Sequence, residues 1–323
     1  MLVSIICLNY NTPWSKIELT LRSLIAQTGI EYEIIVADDG SKENHEEKLH
    51  AFFKKCGFMN YVLTLASENT GTVQNLLRAV RLAKGRYVKA IAPGDLLYSE
   101  NTLQRWVAFM EKRQSELSFC NAVYYHPKDQ AVSVVSVRRA PANTVFYDPP
   151  EKRKRILTDY LLANDTALGA ALMVKQDLLK RMLEKMAGRV RYAEDFSVRL
   201  MIFEGCSLMH FPENGIFYEY GTGISSSKSR KWAQILRADF EETNRIIAES
   251  DRSNEPYAER IRRYFARSHE NGIFRKIHKV IAFPTVLFCR LRMRRGKERT
   301  PSEADTEFLI KMLFFSDGQT QGG

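Results

Sequence analysis

Cysteine is scarce and scattered in this chain. The five residues Cys7, Cys56, Cys120, Cys206 and Cys289 are an odd number with no Cys-x-x-Cys pair. That pattern argues against a disulfide framework or a zinc ribbon and fits a reducing compartment. The six histidines are dispersed without ligand spacing, which speaks against a zinc enzyme. No Gly-x-Ser-x-Gly elbow offers a nucleophile. A glycine-rich, basic phosphate loop is missing after the first apolar run, which argues against a nucleotidyltransferase. Gly221-x-Gly223 lacks a third glycine and lies far from that run, so it is no dinucleotide fingerprint. The N-terminus, Met1-Leu-Val-Ser-Ile-Ile-Cys-Leu, has neither a basic n-region nor a small-residue cleavage site and reads as a buried strand. There is no internal repeat and no low-complexity run apart from a frayed tail at 317–323.

What is present is an ordinary globular composition, 45% hydrophobic and 27% charged, in 323 residues. That suits one large α/β domain with a helical appendage. The net charge of +10 is unevenly placed. Arg260–Thr300 holds 13 Lys/Arg against 2 Asp/Glu, a local excess of 11, so the body of the chain is close to neutral. A neutral body with a basic tail is not the signature of a nucleic-acid-binding domain.

Apolar runs at 2–8 and 33–37, separated by a helical pattern at Ile17, Leu21, Leu24 and Ile25, form a βαβ unit of a parallel sheet. The alternation continues with helix 44–56, strand 60–65, helix 72–83 and strand 86–92. Four strands and three crossovers predict the doubly wound α/β class. Beyond Asp95 the pattern loosens: helix 102–114, strand 117–125, irregular β at 131–147, a basic helix at 151–163 and a strand at 169–175. Helices at 176–187 and 194–204 and short strands near 207–211 and 215–219 follow. From Ser229 the chain reads as helices at 229–250, 256–269 and about 272–295.

In a doubly wound sheet, ligands bind at the carboxyl ends of the strands. Three polar clusters fall there: Asn9-Tyr10-Asn11, Asp38-Asp39-Gly40-Ser41 and Pro93-Gly94-Asp95. An aromatic ring, a carboxylate for a base N–H and a carboxylate for a divalent cation would make a nucleoside diphosphate site. Each cluster also reads as a plain turn or helix cap, and their joint placement is what favours a site.

The ordered set Val3-Ser-Ile-Ile-Cys-Leu-Asn-Tyr-Asn, Ile34-Ile-Val-Ala-Asp-Asp-Gly-Ser, Glu68-Asn-Thr-Gly, Ala83-Lys-Gly-Arg-Tyr-Val and Gly94-Asp95 resembles the family 2 glycosyltransferases of the GT-A fold, over roughly residues 1–225. The resemblance implies a nucleotide-sugar donor, a divalent cation (Mg²⁺ or Mn²⁺) and inverting displacement at the anomeric carbon. It implies that Tyr10 flanks the base, usually uracil, that Asp39 bonds its ring N–H, and that Leu8 belongs to the nucleotide-binding set. Asn69, Gly71 and Gly94 would line the nucleotide pocket, and Asp95 would hold the metal. The chain departs from the family in having Ala92-Pro93-Gly94-Asp95 where Asp-x-Asp-Asp is common, leaving one acid. Leu8 stands for the usual proline, and Leu76 and Leu77 lie near the place of an Ala-Arg-Asn. One carboxylate with phosphate oxygens and water can still hold a hard cation.

Tyr192-Ala-Glu-Asp-Phe places Glu194 and Asp195 at a helix start, about 100° apart around the axis, so only one can face a given ligand. The other reading is that both acids merely suit the positive helix N-terminus. By resemblance, Asp195 takes the general-base role, with Glu194 beside it. Lys228, Arg230 and Lys231 resemble a closing loop over the donor phosphates, or else belong to a linker.

Val280-Ile-Ala-Phe-Pro-Thr-Val-Leu-Phe-Cys is too short to span a bilayer. With Arg275, Lys276 and Lys279 before it and Arg290, Arg292, Arg294, Arg295 and Lys297 after, it fits an interfacial anchor on anionic lipid. A helix packed back on the body is the other reading.

These residues together predict a GT-A-like, doubly wound, mostly parallel sheet with a smaller acceptor-side sheet and a C-terminal helical extension. The expected domains are 1–228, with a nucleotide half (1–100) and an acceptor half (101–228), then a basic membrane-associating extension at 229–300 and a tail at 301–323. The expected activity is hexosyl transfer from a UDP-sugar to a saccharide, lipid-linked at the inner membrane surface, in bacterial surface-polysaccharide synthesis, without nucleic acid. The alternative is a non-catalytic membrane- or partner-binding protein on a degenerate scaffold of the same fold.

Overall fold

The computed structural model describes residues 2–128, 131–137, 139–142, 144–147, 152–221, 223, 229–267, 272–295 and 304–314. The first half follows the alternation read from sequence: β1 (Leu2–Asn9), α1 (Trp14–Ile25), β2 (Glu31–Asp38), α2 (Glu46–Lys55), β3 (Tyr61–Leu65), α3 (Thr72–Leu82) and β4 (Tyr87–Ile91). Strands β1 and β2 are apolar on both faces because helices cover both. Leu21 and Phe53 pack on one side, and Leu77 and Val80 on the other. β1 pairs in parallel with β2 and β4, and β2 with β3.

The next stretch comprises β5 (Leu96–Leu97), α4 (Thr102–Lys112), β6 (Leu117–Lys128), β7 (Ala131–Val135), α5 (Arg153–Leu157), β8 (Leu172–Lys175), α6 (Gln176–Met186), α7 (Ser197–Phe203) and β9 (Leu208–Glu219). Its strands do not form a separate smaller sheet. They continue the first, in the order β3-β2-β1-β4-β8-β6-β9-β5 with β7 on β6. Antiparallel β8 joins β4 to β6, and β6 runs parallel to β9. The two short strands expected near 207–219 are one strand. Pro212 has no N–H to donate, and the chain takes up the mismatch as a register shift opposite Cys120–Ala122 without leaving the sheet.

The C-terminal helices are α8 (Arg230–Glu249), α9 (Pro256–Ala266), α10 (Gly272–Ala282), α11 (Thr285–Arg295) and α12 (Glu307–Leu313). The break between α10 and α11 falls at Pro284, as a proline requires. α12 corrects the expectation of a tail from 301. Leu309 and Met312 are buried against Leu96, Val123, Tyr125 and Phe217, so this segment closes the β5–β9 end of the sheet.

Helices α10 and α11 pack one side on the body and leave apolar side chains exposed on the other. Phe283, Val286 and Cys289 are buried in the main core, while Ile277, Ile281, Leu287, Phe288 and Leu291 are exposed. The cations divide as well. Lys279 donates to the Leu162 carbonyl at 2.8 Å, and Arg292 bonds the buried Asp159 at 2.8 Å. Those two are structural, correcting their assignment to the lipid-facing set, whereas Arg290 and Arg294 are exposed. The side chains of Arg275, Lys276 and Arg295, and all of Lys297, lie outside the described residues. Among the described residues no helix is long and apolar enough to cross a membrane.

Candidate active site

The polar clusters at the strand ends are tied to one another by a closed series of contacts. It starts after β1, where Asn9 Nδ2 donates to Asp38 at 2.6 Å and Asn11 N–H donates to Ser41 Oγ at 2.6 Å. Tyr10, between them, is 49% exposed, so its ring is available to a ligand. Asp38 receives the Ser41 N–H and hydroxyl at 2.8 and 2.6 Å and so closes its own turn.

Asp39 carries the series to the next loop. Its carboxylate accepts the Thr70 N–H at 3.1 Å, the Thr70 hydroxyl at 2.8 Å and the Gly71 N–H at 2.8 Å, with Arg78 4.0 Å away. A carboxylate offers about four lone-pair positions, so three are spent inside the protein. Asp39 thus fixes the Asn69–Gly71 loop with three of those positions. The Leu8 side chain is half-buried and packs against the core.

Gly71, at φ +94°, lies so close to Arg191 that a Cβ would come within 2.4 Å of its side chain. Arg191 reaches the Asn69 carbonyl at 3.1 Å and its Oδ1 at 3.3 Å, and the Tyr192 hydroxyl donates to the same Oδ1 at 3.4 Å. Tyr192 packs edge-on against Trp232 at 5.0 Å, which brings the start of α8 to the rim. Arg230 and Lys231 are exposed there. Lys228 lies outside the described residues.

Glu194 and Asp195 form a single 3-10 turn ahead of α7. The segment before them is held by Asp239 of α8. Its two oxygens accept the N–H groups of Arg191 at 3.1 Å, Tyr192 at 2.7 Å and Ala193 at 3.1 Å. Burial raises the pKa of both acids. Glu194 is raised further, because the charges of Asp195 and Asp239 also oppose its ionisation. Backbone N–H groups and the buried Arg199 pull Asp195 back down. Ionisation is thus opposed more strongly at Glu194 than at Asp195, and environments that push two neighbouring acids apart in this way suit them to different acid and base roles.

A Cβ on Gly169 would lie 3.2 Å from that of Asp195. One residue on, the Ala170 carbonyl accepts from Lys89 at 2.6 Å. Lys89 is fully buried in β4, and burial pushes its pKa down to about 8. Its charge acts on Asp95, whose carboxyl is pushed up to about 7, burial outweighing the help of the Glu219 N–H, Lys89 and Lys16. Asp95 accepts the Glu219 N–H at 3.0 Å, and Glu219 holds Lys16 at 2.7 and 2.6 Å. Lys16 is on α1, six residues past Tyr10, so the series returns to its start.

The part of this series up to Gly169 lies within a family match. A sequence model described as Glycosyl transferase family 2 matches residues 4–186, more than half of the chain. The chain belongs to glycosyl transferase family 2. TuaG of Bacillus subtilis, named as a teichuronic acid biosynthesis glycosyltransferase, is 31% identical over 118 residues, 36% of this chain and 45% of TuaG. The chain thus spans about half the length of the curated relatives it matches. Staphylococcus aureus TarS 1–349 in complex with UDP superimposes with a TM-score of 0.55 at 15% identity, over 90% of this chain and 81% of that one. The mannosyltransferase PcManGT of Pyrobaculum calidifontis, in complex with GDP-Man and Mn²⁺, gives 0.53 at 14% identity, over 92% and 76%. At such identities these two establish the shared fold.

The acids of this family 2 glycosyltransferase do not fit a divalent cation as they stand. Asp95 is buried and turned to the Glu219 N–H, Gly94 offers no side chain, and both Glu219 oxygens are taken by Lys16. Among the described residues no group of three or more His, Cys, Asp or Glu side chains could hold a metal. Lys16, Lys89, Arg191, Glu219 and Asp239 were absent from the sequence reading. Each acts through a partner far along the chain, and no short motif marks it. A separate cleft of about 730 Å³, lined by Lys185, Arg189, Glu249 and Arg252 among others, contains none of the residues of this series.

Proposed function

We propose that this chain is an inverting glycosyltransferase that moves a sugar from a nucleotide donor, a UDP-sugar, to a saccharide hydroxyl. The observation that carries this reading is the set of contacts that joins the polar turns after β1 and β2 to the Asn69–Gly71 loop and the Arg191–Asp195 segment. The exposed Tyr10 ring follows β1, and Asp95 with Glu219 and Lys16 follows β4. Tyr10 flanks the base, and Asn69, Gly71 and Gly94 line the nucleotide. Asp195 takes the proton of the acceptor hydroxyl as its oxygen attacks the anomeric carbon. The bond from that carbon to the phosphate oxygen breaks, the nucleoside diphosphate leaves with the electron pair, and the configuration inverts. Arg230 and Lys231, with Lys228, meet the departing charge. TarS bound to UDP and PcManGT bound to GDP-Man support a nucleotide-sugar donor for this fold. Thermal shift against a panel of sugar nucleotides tests the reading. Stabilisation by UDP-sugars is expected, and a flat panel would favour the non-catalytic alternative.

The acceptor in this reading is a lipid-linked saccharide of bacterial surface-polysaccharide synthesis, met at the inner membrane face. The exposed Ile281 and Phe288 beside Arg290 and Arg294 support it, since apolar side chains can enter the headgroup boundary while cations meet anionic lipid. Fully burying one such side chain contributes roughly 1.5–3 kcal/mol. Ile281→Glu and Phe288→Glu should therefore each weaken co-sedimentation with phosphatidylglycerol vesicles by about tenfold or more, leaving thermal stability unchanged. Vesicle binding unaltered in both variants would remove the membrane from this account.

A further inference from the structure

We propose that Lys16 is this chain's own cation for the donor diphosphate, its ammonium held by Glu219 at the Gly94–Asp95 turn where a divalent ion would otherwise neutralise the phosphates. The inference rests on the nucleotide-sugar reading above and gives it a particular electrostatic form.

Backbone conformation disfavours a second acid beside Asp95 in this turn, and the present position of Glu219 fills the space it would need. Gly94 adopts φ +102°, and a Cβ there would lie 2.3 Å from Glu219 Oε2. The missing acid at position 94 and the presence of Glu219 are therefore one feature. The Glu219 carboxylate lies against the bare backbone of the turn, where a side chain from position 94 would otherwise sit. The turn is fixed on every side. Its Gly94 N–H donates to the Thr20 hydroxyl at 2.9 Å, its Gly94 carbonyl accepts the Tyr125 hydroxyl, and the Asp95 carbonyl accepts the Thr20 hydroxyl at 2.8 Å.

Lys16 then decides what Glu219 can do. The ammonium sits 2.7 and 2.6 Å from its two oxygens, so a divalent ion seeking the same oxygens would meet a fixed positive charge. The Lys16 side chain is 34% exposed and the Glu219 side chain 7%. The acid is thus the buried anchor and the ammonium its outward end. An ammonium has three N–H donors, and the carboxylate engages it from one side, which leaves a donor for a phosphate oxygen.

The charge balance agrees. Asp95 and Glu219 are offset by Lys16 and Lys89, one cation for each acid. A diphosphate arriving here meets a site whose acids are already balanced. In a site of bare carboxylates, a metal must first cancel their charge.

The test is isothermal titration with UDP and with uridine, in EDTA and in Mn²⁺, on wild type, Lys16→Met and Lys16→Arg. Wild type should bind UDP in EDTA within about twofold of its affinity in Mn²⁺. Lys16→Met should lose about tenfold or more for UDP, as removal of a charge-assisted bond implies, with uridine affinity unchanged. Lys16→Arg should keep most of the UDP affinity. A merely structural Lys16 would instead lower UDP and uridine binding together. UDP binding by wild type that needs Mn²⁺, or UDP binding by Lys16→Met equal to wild type, overturns the inference and leaves the nucleotide reading standing. Failure of wild type to bind UDP in either buffer overturns both.

Discussion

Asp195→Asn should lower the rate of sugar transfer by about 10²–10⁴-fold, the span that a positioned general base contributes, with nucleotide affinity retained. The asparagine keeps the size of the side chain and cannot accept the hydroxyl proton. Glu194 does not become an equivalent base in that variant, because its burial and the charge of Asp239 still oppose its ionisation once the Asp195 charge is gone. A pH dependence follows with a definite sign. The base must be ionised, and its pKa is raised, so kcat/KM should rise with pH through an acid limb lying above the ordinary aspartate value of about 4. Steady-state rates from pH 5 to 9 check this. An acid limb at the ordinary value, or full turnover in Asp195→Asn, would remove the residue from the role.

The second large effect is expected at Asp239, which contacts neither reacting group in this account. Its carboxylate accepts three consecutive N–H groups just before the acidic pair. Asp239→Ala leaves those donors unmet, and each buried unmet donor costs about 1–3 kcal/mol. A loss of several kcal/mol in chemical denaturation is therefore expected, together with a fall in kcat larger than any rise in donor KM. Asp239→Asn, whose amide oxygen still accepts, should recover part of both. That rescue separates positioning from simple fold loss. Equal effects of alanine and asparagine on kcat would contradict the role.

The first half of the fold was legible because it is written in local pattern. β1 and β2 are mostly apolar on both faces, and each is closed by a polar turn, which is the reading a sheet covered on both faces produces. The stretch after β4 was less legible because its strands pair out of chain order. The two-residue β5 exists only through β9, and α12 only through a patch assembled from β5, β6 and β9. A window of sequence contains neither partner.

The site followed the same division. Glycines with positive φ at Gly40, Gly71 and Gly94 stand where the motifs put them, and Tyr10 is exposed. The hold of Asp39 on the next loop was not legible, for a physical reason. A carboxylate after a strand suits a ligand and a neighbouring loop equally, and only the Thr70 and Gly71 N–H groups reveal the second role. Lys16 and Glu219, 203 residues apart, show the limit from the other side. Neither is unusual alone, and their meaning comes from the sheet that brings them together.

The central claim is that segments far apart in sequence grip one nucleotide sugar, and amide hydrogen exchange with and without a saturating UDP-sugar tests it most directly. Protection should appear together in 9–11, 69–71, 93–95 and 191–196, and the lining of the 730 Å³ cleft at 249–255 should be unaffected. Protection confined to that cleft, or to only one of the four segments, would contradict the account.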